Sequence, residues 1–174
     1  MVQKFDFACK TVQKLSCIKM DKPKYNLLLA DDDEDDCAFF KEALDDLGLA
    51  ISLNTVANGV DLMKYLSDKF FGDLPDILFL DLNMPRKSGF ECLSEIKLID
   101  KLKDLSVIIF STSLDMKVVD LLYEGGATFY VQKPADFSKL KKVILNALTI
   151  TQNMVKQPTR DNFILQPINI LNEL

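Results

Sequence analysis

The chain has 174 residues, 48% of them hydrophobic and 27% charged, with a formal net charge of -5 and no histidine. That length suits one domain with a sizeable core plus extensions, and the acidic balance argues against nucleic acid held by a general basic surface. The lack of histidine excludes His general bases, His metal ligands and a phosphohistidine on this chain, and no apolar run approaches the ~20 residues of a bilayer span.

The four cysteines, Cys9, Cys17, Cys37 and Cys92, show no C-x-x-C spacing, so free thiols are expected rather than a zinc or redox centre. Any metal must then be held by oxygen, which favours a hard cation such as Mg2+.

Residues 1–23 read as an N-terminal extension. Residues 1–24 carry six Lys against two Asp, with Phe5, Ala8, Val12 and Leu15 at helix-like spacing. They lack the continuous apolar run of a secretory signal, and Met20 raises the reading that residues 1–19 are an upstream translation artefact or a loose tail. Residues 24–156 form the expected domain and 157–174 a tail.

From Tyr25 the pattern is regular. Tyr25–Ala30 predicts a strand, and the acidic run Asp31 to Asp36 leads into a helix through Phe39, Phe40, Ala43, Leu44 and Leu47. Glu34, Asp35 and Asp36 are read as acids complementing that helix's dipole. Gly48 closes it, Ile51–Ala57 is a second strand, and Gly59–Phe70 a second helix. Ile77–Leu80 is an apolar strand that delivers Asp81 at its end, and Pro85 stops the strand from continuing. A tight loop at Gly89 leads to a helix over Phe90–Leu102, followed by a strand over Leu105–Phe110 that ends in Ser111-Thr112-Ser113. A short helix over Asp115–Glu124 stops at Gly125-Gly126; Ala127–Val131 is a fifth strand before Lys133-Pro134, and a long helix runs from about Asp136 to Lys156.

Strands apolar on both faces, alternating with helices, predict an α/β fold with a parallel, doubly wound sheet covered by helices on both faces. Right-handed crossovers bring all strand ends to one edge, where ligands of such sheets bind. Asp31, Asp32, Asp81, Ser111 and Lys133 are expected to meet there. Three converging carboxylates repel one another, a divalent cation relieves the repulsion, and its open positions admit a phosphoryl group. Asp81 can then act as nucleophile, with the metal and Lys133 stabilising charge and Ser111 bonding a phosphoryl oxygen.

At these residues the chain resembles the receiver domain of two-component response regulators, of the single-domain, chemotaxis-regulator-like and phytochrome-associated type, over about Tyr25 to Leu148. Asp31-Asp32 match its acidic pair, and Asp81-Leu82-Asn83-Met84-Pro85 with Gly89 its phosphoacceptor segment. Ser111 matches the hydroxyl residue, Tyr130 the aromatic switch, and Lys133-Pro134 the terminal lysine motif. The resemblance implies a flavodoxin-like sheet in the order 2-1-3-4-5 and a phosphoryl group passed from a sensor histidine kinase or phosphotransfer protein onto Asp81. It implies Mg2+ held by Asp32, Asp81, the Asn83 backbone carbonyl and, through water, Asp31. It also implies a switch in which Ser111 is drawn to the phosphoryl group and Tyr130 follows. Asp33 makes a third adjacent acid where the family shows two, and the strand end at Ala30 sets the register at Asp31-Asp32.

Other classes are weaker. A haloacid-dehalogenase-type Mg2+ phosphatase needs a second acid two residues after its nucleophile, and Asn83 stands there. A flavodoxin-like FMN binder wants Ser, Thr and Gly after the first strand, where this chain has acids. A non-phosphorylated docking module is disfavoured by the intact acids, hydroxyl and lysine. Only 18 residues follow Lys156, so output is expected through a downstream protein target in the cytoplasm, with neither nucleic acid nor membrane as partner. No turnover enzyme is expected, only self-catalysed phosphorylation and dephosphorylation. The last helix is expected to bury Phe137, Leu140, Ile144, Ala147, Leu148 and Thr151 and to overhang the sheet. Ile150, Met154, Val155, Phe163, Ile164, Leu165, Ile168, Ile170 and Leu171 would then make a homodimer contact; the alternative is that the tail folds back.

Overall fold

The computed structural model describes residues 25–70, 72–153 and 157–166. In chain order they form β1 (Tyr25–Ala30), α1 (Glu34–Asp46), β2 (Ile51–Val56), α2 (Gly59–Asp68), β3 (Ile77–Leu80), α3 (Gly89–Leu98), β4 (Ser106–Ser111), α4 (Met116–Glu124), β5 (Phe129–Gln132) and α5 (Phe137–Asn153). The strands are parallel in the order β2-β1-β3-β4-β5, as expected. Ala30 pairs with Leu80, so β1 and β3 end level and deliver their acids side by side.

Alternating strand residues feed two cores, which is why these strands read as continuously apolar. Leu28, Leu78, Leu80, Val107 and Ile109 pack with α2, α3 and α4 on one face. On the other, Leu27, Leu29, Phe79, Ile108 and Val131 pack with α1 and α5, where Leu140, Val143, Ile144, Ala147 and Leu148 are buried. Phe40, Phe79 and Phe110 meet edge to face there, centroids 4.9 to 6.1 Å apart. Burial pushes the Cys37 and Cys92 thiols up to about 11, so both are unreactive at neutral pH.

Several element ends differ from expectation because local hydrogen bonds decide them. Asp115 is the extended N-cap of α4 rather than its first residue. Residues 127–128 precede β5 rather than opening it, as the Ala127 amide bonds the Leu122 carbonyl and the Thr128 hydroxyl accepts from the Val107 amide. α3 ends at Leu98 instead of Leu102, because Ile99 is extended and the Lys97 ammonium donates to the carbonyls of Lys103 and Leu105, 2.9 Å each. Burial depresses the Lys97 pKa, so those carbonyls are what make the charge tolerable. Lys97→Met is therefore expected to cost ~1–3 kcal/mol in urea unfolding, by leaving two carbonyls without their donor.

The described part of the tail folds back. The Tyr130 amide donates to the Phe163 carbonyl (2.9 Å) and the Leu165 amide to the Tyr130 carbonyl (2.8 Å), so Ile164 extends the sheet beside β5. Phe163 is fully buried, its ring 5.2 Å from that of Tyr123. Gln157 bonds the Tyr123 and Ala127 carbonyls, the Tyr123 hydroxyl donates to the Pro158 carbonyl, and Arg160 pairs with Asp120 of α4. Phe163 and Leu165 thus do not form the exposed apolar surface expected of a dimer contact; their own domain consumes them. Met154, Val155, Ile168, Ile170 and Leu171, like the expected helix of the first 24 residues, lie outside the described residues.

Candidate functional site

Strand register assembles the site. The Asp31 amide bonds the Val56 carbonyl (3.0 Å) and the Asp81 amide bonds the Ala30 carbonyl (2.9 Å), which seats both acids, each buried, at the carboxyl ends of β1 and β3. The third acid of the run has a separate task. Asp33 caps α1, its carboxylate accepting from the amides of Asp35 (2.9 Å) and Asp36 (3.1 Å). That leaves Asp31 and exposed Asp32 to face Asp81, and the carboxylate oxygens of the three lie within 4.8 Å of one another.

Lys133 reaches the same point from the end of β5. Its Nζ lies 2.7 Å from Asp31, 2.7 Å from Asp36 and 3.6 Å from Asp81, and sits over the Phe110 ring. Burial opposes its charge, yet Asp31, Asp36 and Asp81 outweigh that and raise its pKa above the usual lysine value. Burial also raises the Asp31 pKa, a penalty the Lys133 contact only partly offsets. Three acids around one lysine, with Asp32 beside two of them, are electrostatically unbalanced. Asp31 Oδ2 is buried, with the Lys133 ammonium 2.7 Å away. An all-oxygen donor set with such an atom fits a hard divalent cation.

The loop after Asp81 is held tightly. The Asn83 amide donates to Asp81 Oδ2 (3.0 Å), placing the Asn83 backbone beside the cluster, and the Gly89 amide donates to the Leu82 carbonyl. A Cβ on Gly89 would fall 2.1 Å from the Asp81 carbonyl oxygen, and Arg86 has a φ of 65°. Gly89→Ala is expected to push the Asp81 backbone aside, costing about 1–3 kcal/mol in unfolding and weakening divalent-metal binding in a calorimetric titration.

Ser111, the last residue of β4, is fully buried, its hydroxyl within reach of that of Tyr130. The Lys133 amide bonds its carbonyl (2.8 Å), locking β4 to β5 at this edge. The Tyr130 ring is buried, its hydroxyl donating to the Ser113 carbonyl, and burial raises its pKa. The structure therefore brings Asp31, Asp32, Asp81 and Lys133 into one cluster, with Asn83 on the loop after β3, Ser111 at the end of β4 and Tyr130 within β5. The residue missed in the sequence is Asp36, whose contact with Lys133 was readable only once Asp33 was known to be the cap.

The sequence pattern of the response regulator receiver domain matches residues 27–145, and the chain belongs to that family. It is 29% identical over 127 residues to the response regulator Rcp1 of Synechocystis, covering 70% of this chain and 85% of Rcp1. It is 29% identical over 90 residues to the probable C4-dicarboxylate response regulator DctR of Bacillus subtilis, covering 52% of this chain but only 37% of DctR. Among solved structures, the phosphorylated cyanobacterial phytochrome response regulator RcpA superposes with a TM-score of 0.69 at 28% identity, covering 79% of this chain and all of that one. The Mn2+-bound form of Rcp1 gives 0.66 at 27% identity, covering 77% of this chain and 99% of that one.

Proposed function

We propose that this protein is a phosphoacceptor: Asp81 takes a phosphoryl group from a sensor histidine kinase or phosphotransfer protein, and the altered domain signals by changed protein binding. The observation that carries the reading is Asp81 buried against Asp31 and Asp32, with Lys133 3.6 Å away and the buried Ser111 hydroxyl on the next strand. In the step itself an Asp81 oxygen forms the new P–O bond as the bond to the donor's leaving group breaks, and the donor departs with that electron pair. Asp31, Asp32, Asp81 and the Asn83 carbonyl would hold Mg2+, which supplies charge neutralisation between carboxylates and phosphoryl oxygens. Lys133 donates to the phosphoryl group, and the Ser111 hydroxyl turns to it. Support for the metal and the phosphoryl group comes from the Mn2+-bound and phosphorylated relatives. No helix among the described residues is long and apolar enough to cross a membrane.

Incubation with a small acyl phosphate and Mg2+ should add the mass of one phosphoryl group, and EDTA should prevent it. Uptake undiminished by EDTA would refute the metal's part. Ser111→Ala is expected to change Mg2+ affinity less than ~2-fold, as the hydroxyl lies outside the carboxylate trio. It should nonetheless remove most of the phosphorylation-induced shift of the Tyr130 amide resonance.

A further inference from the structure

The geometry points to Asp36 as a positioning residue that holds Lys133 back from Asp81 until the phosphoryl group arrives. This rests on the phosphoacceptor reading of Asp81.

An ammonium group has three donors, and here two close contacts compete with the one that matters. Lys133 Nζ is 2.7 Å from Asp31 and 2.7 Å from Asp36, but 3.6 Å from Asp81, beyond good hydrogen-bond range. Asp36 is firmly based for this. It lies in the first turn of α1 with its amide bonded to the Asp33 cap. It is outside the Asp31, Asp32, Asp81 trio, so its carboxylate is not required for a metal. The two tethers also differ in how readily they yield. The Asp31 side chain is 1% exposed, whereas that of Asp36 is 39% exposed and can exchange the lysine for water. A phosphoryl group on Asp81 places new anionic oxygens beside the ammonium, and the contact surrendered is the solvated one. Asp36 is thus a restraint that costs phosphoryl uptake a little and returns Lys133 to its place when the group leaves.

The test compares Asp36→Asn with Asp35→Asn, which removes the same charge from the same turn without touching Lys133, and with Asp36→Glu, which keeps the charge. Phosphorylation by a small acyl phosphate at saturating Mg2+ should be ~2- to 5-fold faster in Asp36→Asn, the range expected for losing one partly exposed ion pair, and close to wild type in the other two. A slower Asp36→Asn would overturn the proposal, since Asp36 would then be aligning Lys133 productively. An equal acceleration in Asp35→Asn would overturn it as well, by reducing the effect to net charge. A second readout needs no phosphorylation. Labelling of the Lys133 amine by a neutral acylating reagent, followed by peptide mass, should be faster in Asp36→Asn alone. If wild type takes up no phosphoryl group, the phosphoacceptor reading falls; unchanged Lys133 labelling with normal uptake sinks the restraint alone.

Discussion

Asp81→Asn is expected to take up no phosphoryl group from an acyl phosphate and, in the same preparation, to be more stable than wild type when divalent metal is removed. Both follow from the geometry. The amide keeps the shape of the carboxylate and can still accept from the Asn83 amide, so the loop has no reason to move. What disappears is the nucleophile and one of three carboxylates crowded within 4.8 Å. Lys133 retains Asp31 and Asp36 at 2.7 Å each, so losing its 3.6 Å partner leaves no unpaired charge. Relief of repulsion should raise metal-free stability by ~1 kcal/mol, a rise in Tm of a few degrees. Wild type should gain ~2.7 kcal/mol at a Mg2+ concentration of 100 Kd, and the variant, measured at that concentration, much less. Opposite signs with and without metal separate this outcome from misfolding. Phosphoryl uptake that survives in the variant would place the acceptor elsewhere.

Phe163→Ala should be the most destabilising single change in the tail, at ~3–5 kcal/mol by urea unfolding, the cost of emptying a fully enclosed aromatic site. Phe163 is fully buried and stacks edge to face on Tyr123, in the same core cluster as Tyr130. Its carbonyl receives the Tyr130 amide, so the deletion also loosens a backbone bond at the sheet. Against a typical domain stability of about 5–15 kcal/mol, that is a large fraction. A cost under about 1 kcal/mol would mean that the segment merely lies on the surface, and the tail would again be available for a dimer contact.

Asp81, Asp31 and Lys133 were legible because each terminates an apolar strand, and parallel register forces such termini together. Asp36 was not. Its helix position gave a sufficient dipole explanation, and the contact that matters is with a residue 97 positions away. For a related reason the tail left two readings open, a dimer contact and a fold-back. Hydrophobic residues after a long helix are compatible with self-packing and with a second copy, and only the backbone bonds of Phe163 and Leu165 to Tyr130 decide for the former. The early end of α3 depended on Lys97 reaching two carbonyls across a turn, which no periodicity registers. Ser111 was found by its place at a strand end, but its complete burial is a property of the packing around it.

The added strand residue at Ile164 also changes how the sheet presents itself to other chains. An open sheet has two borders with unpaired amides and carbonyls, each a template for further strands. Here the β5 border is closed at Tyr130 by the protein's own chain. The other border among the described residues is β2, whose Ser52, Asn54 and Thr55 are polar, with Thr55 exposed. Among the described residues, strand addition at β2 would meet a largely polar border, and at Tyr130 it would first have to displace the chain around Ile164.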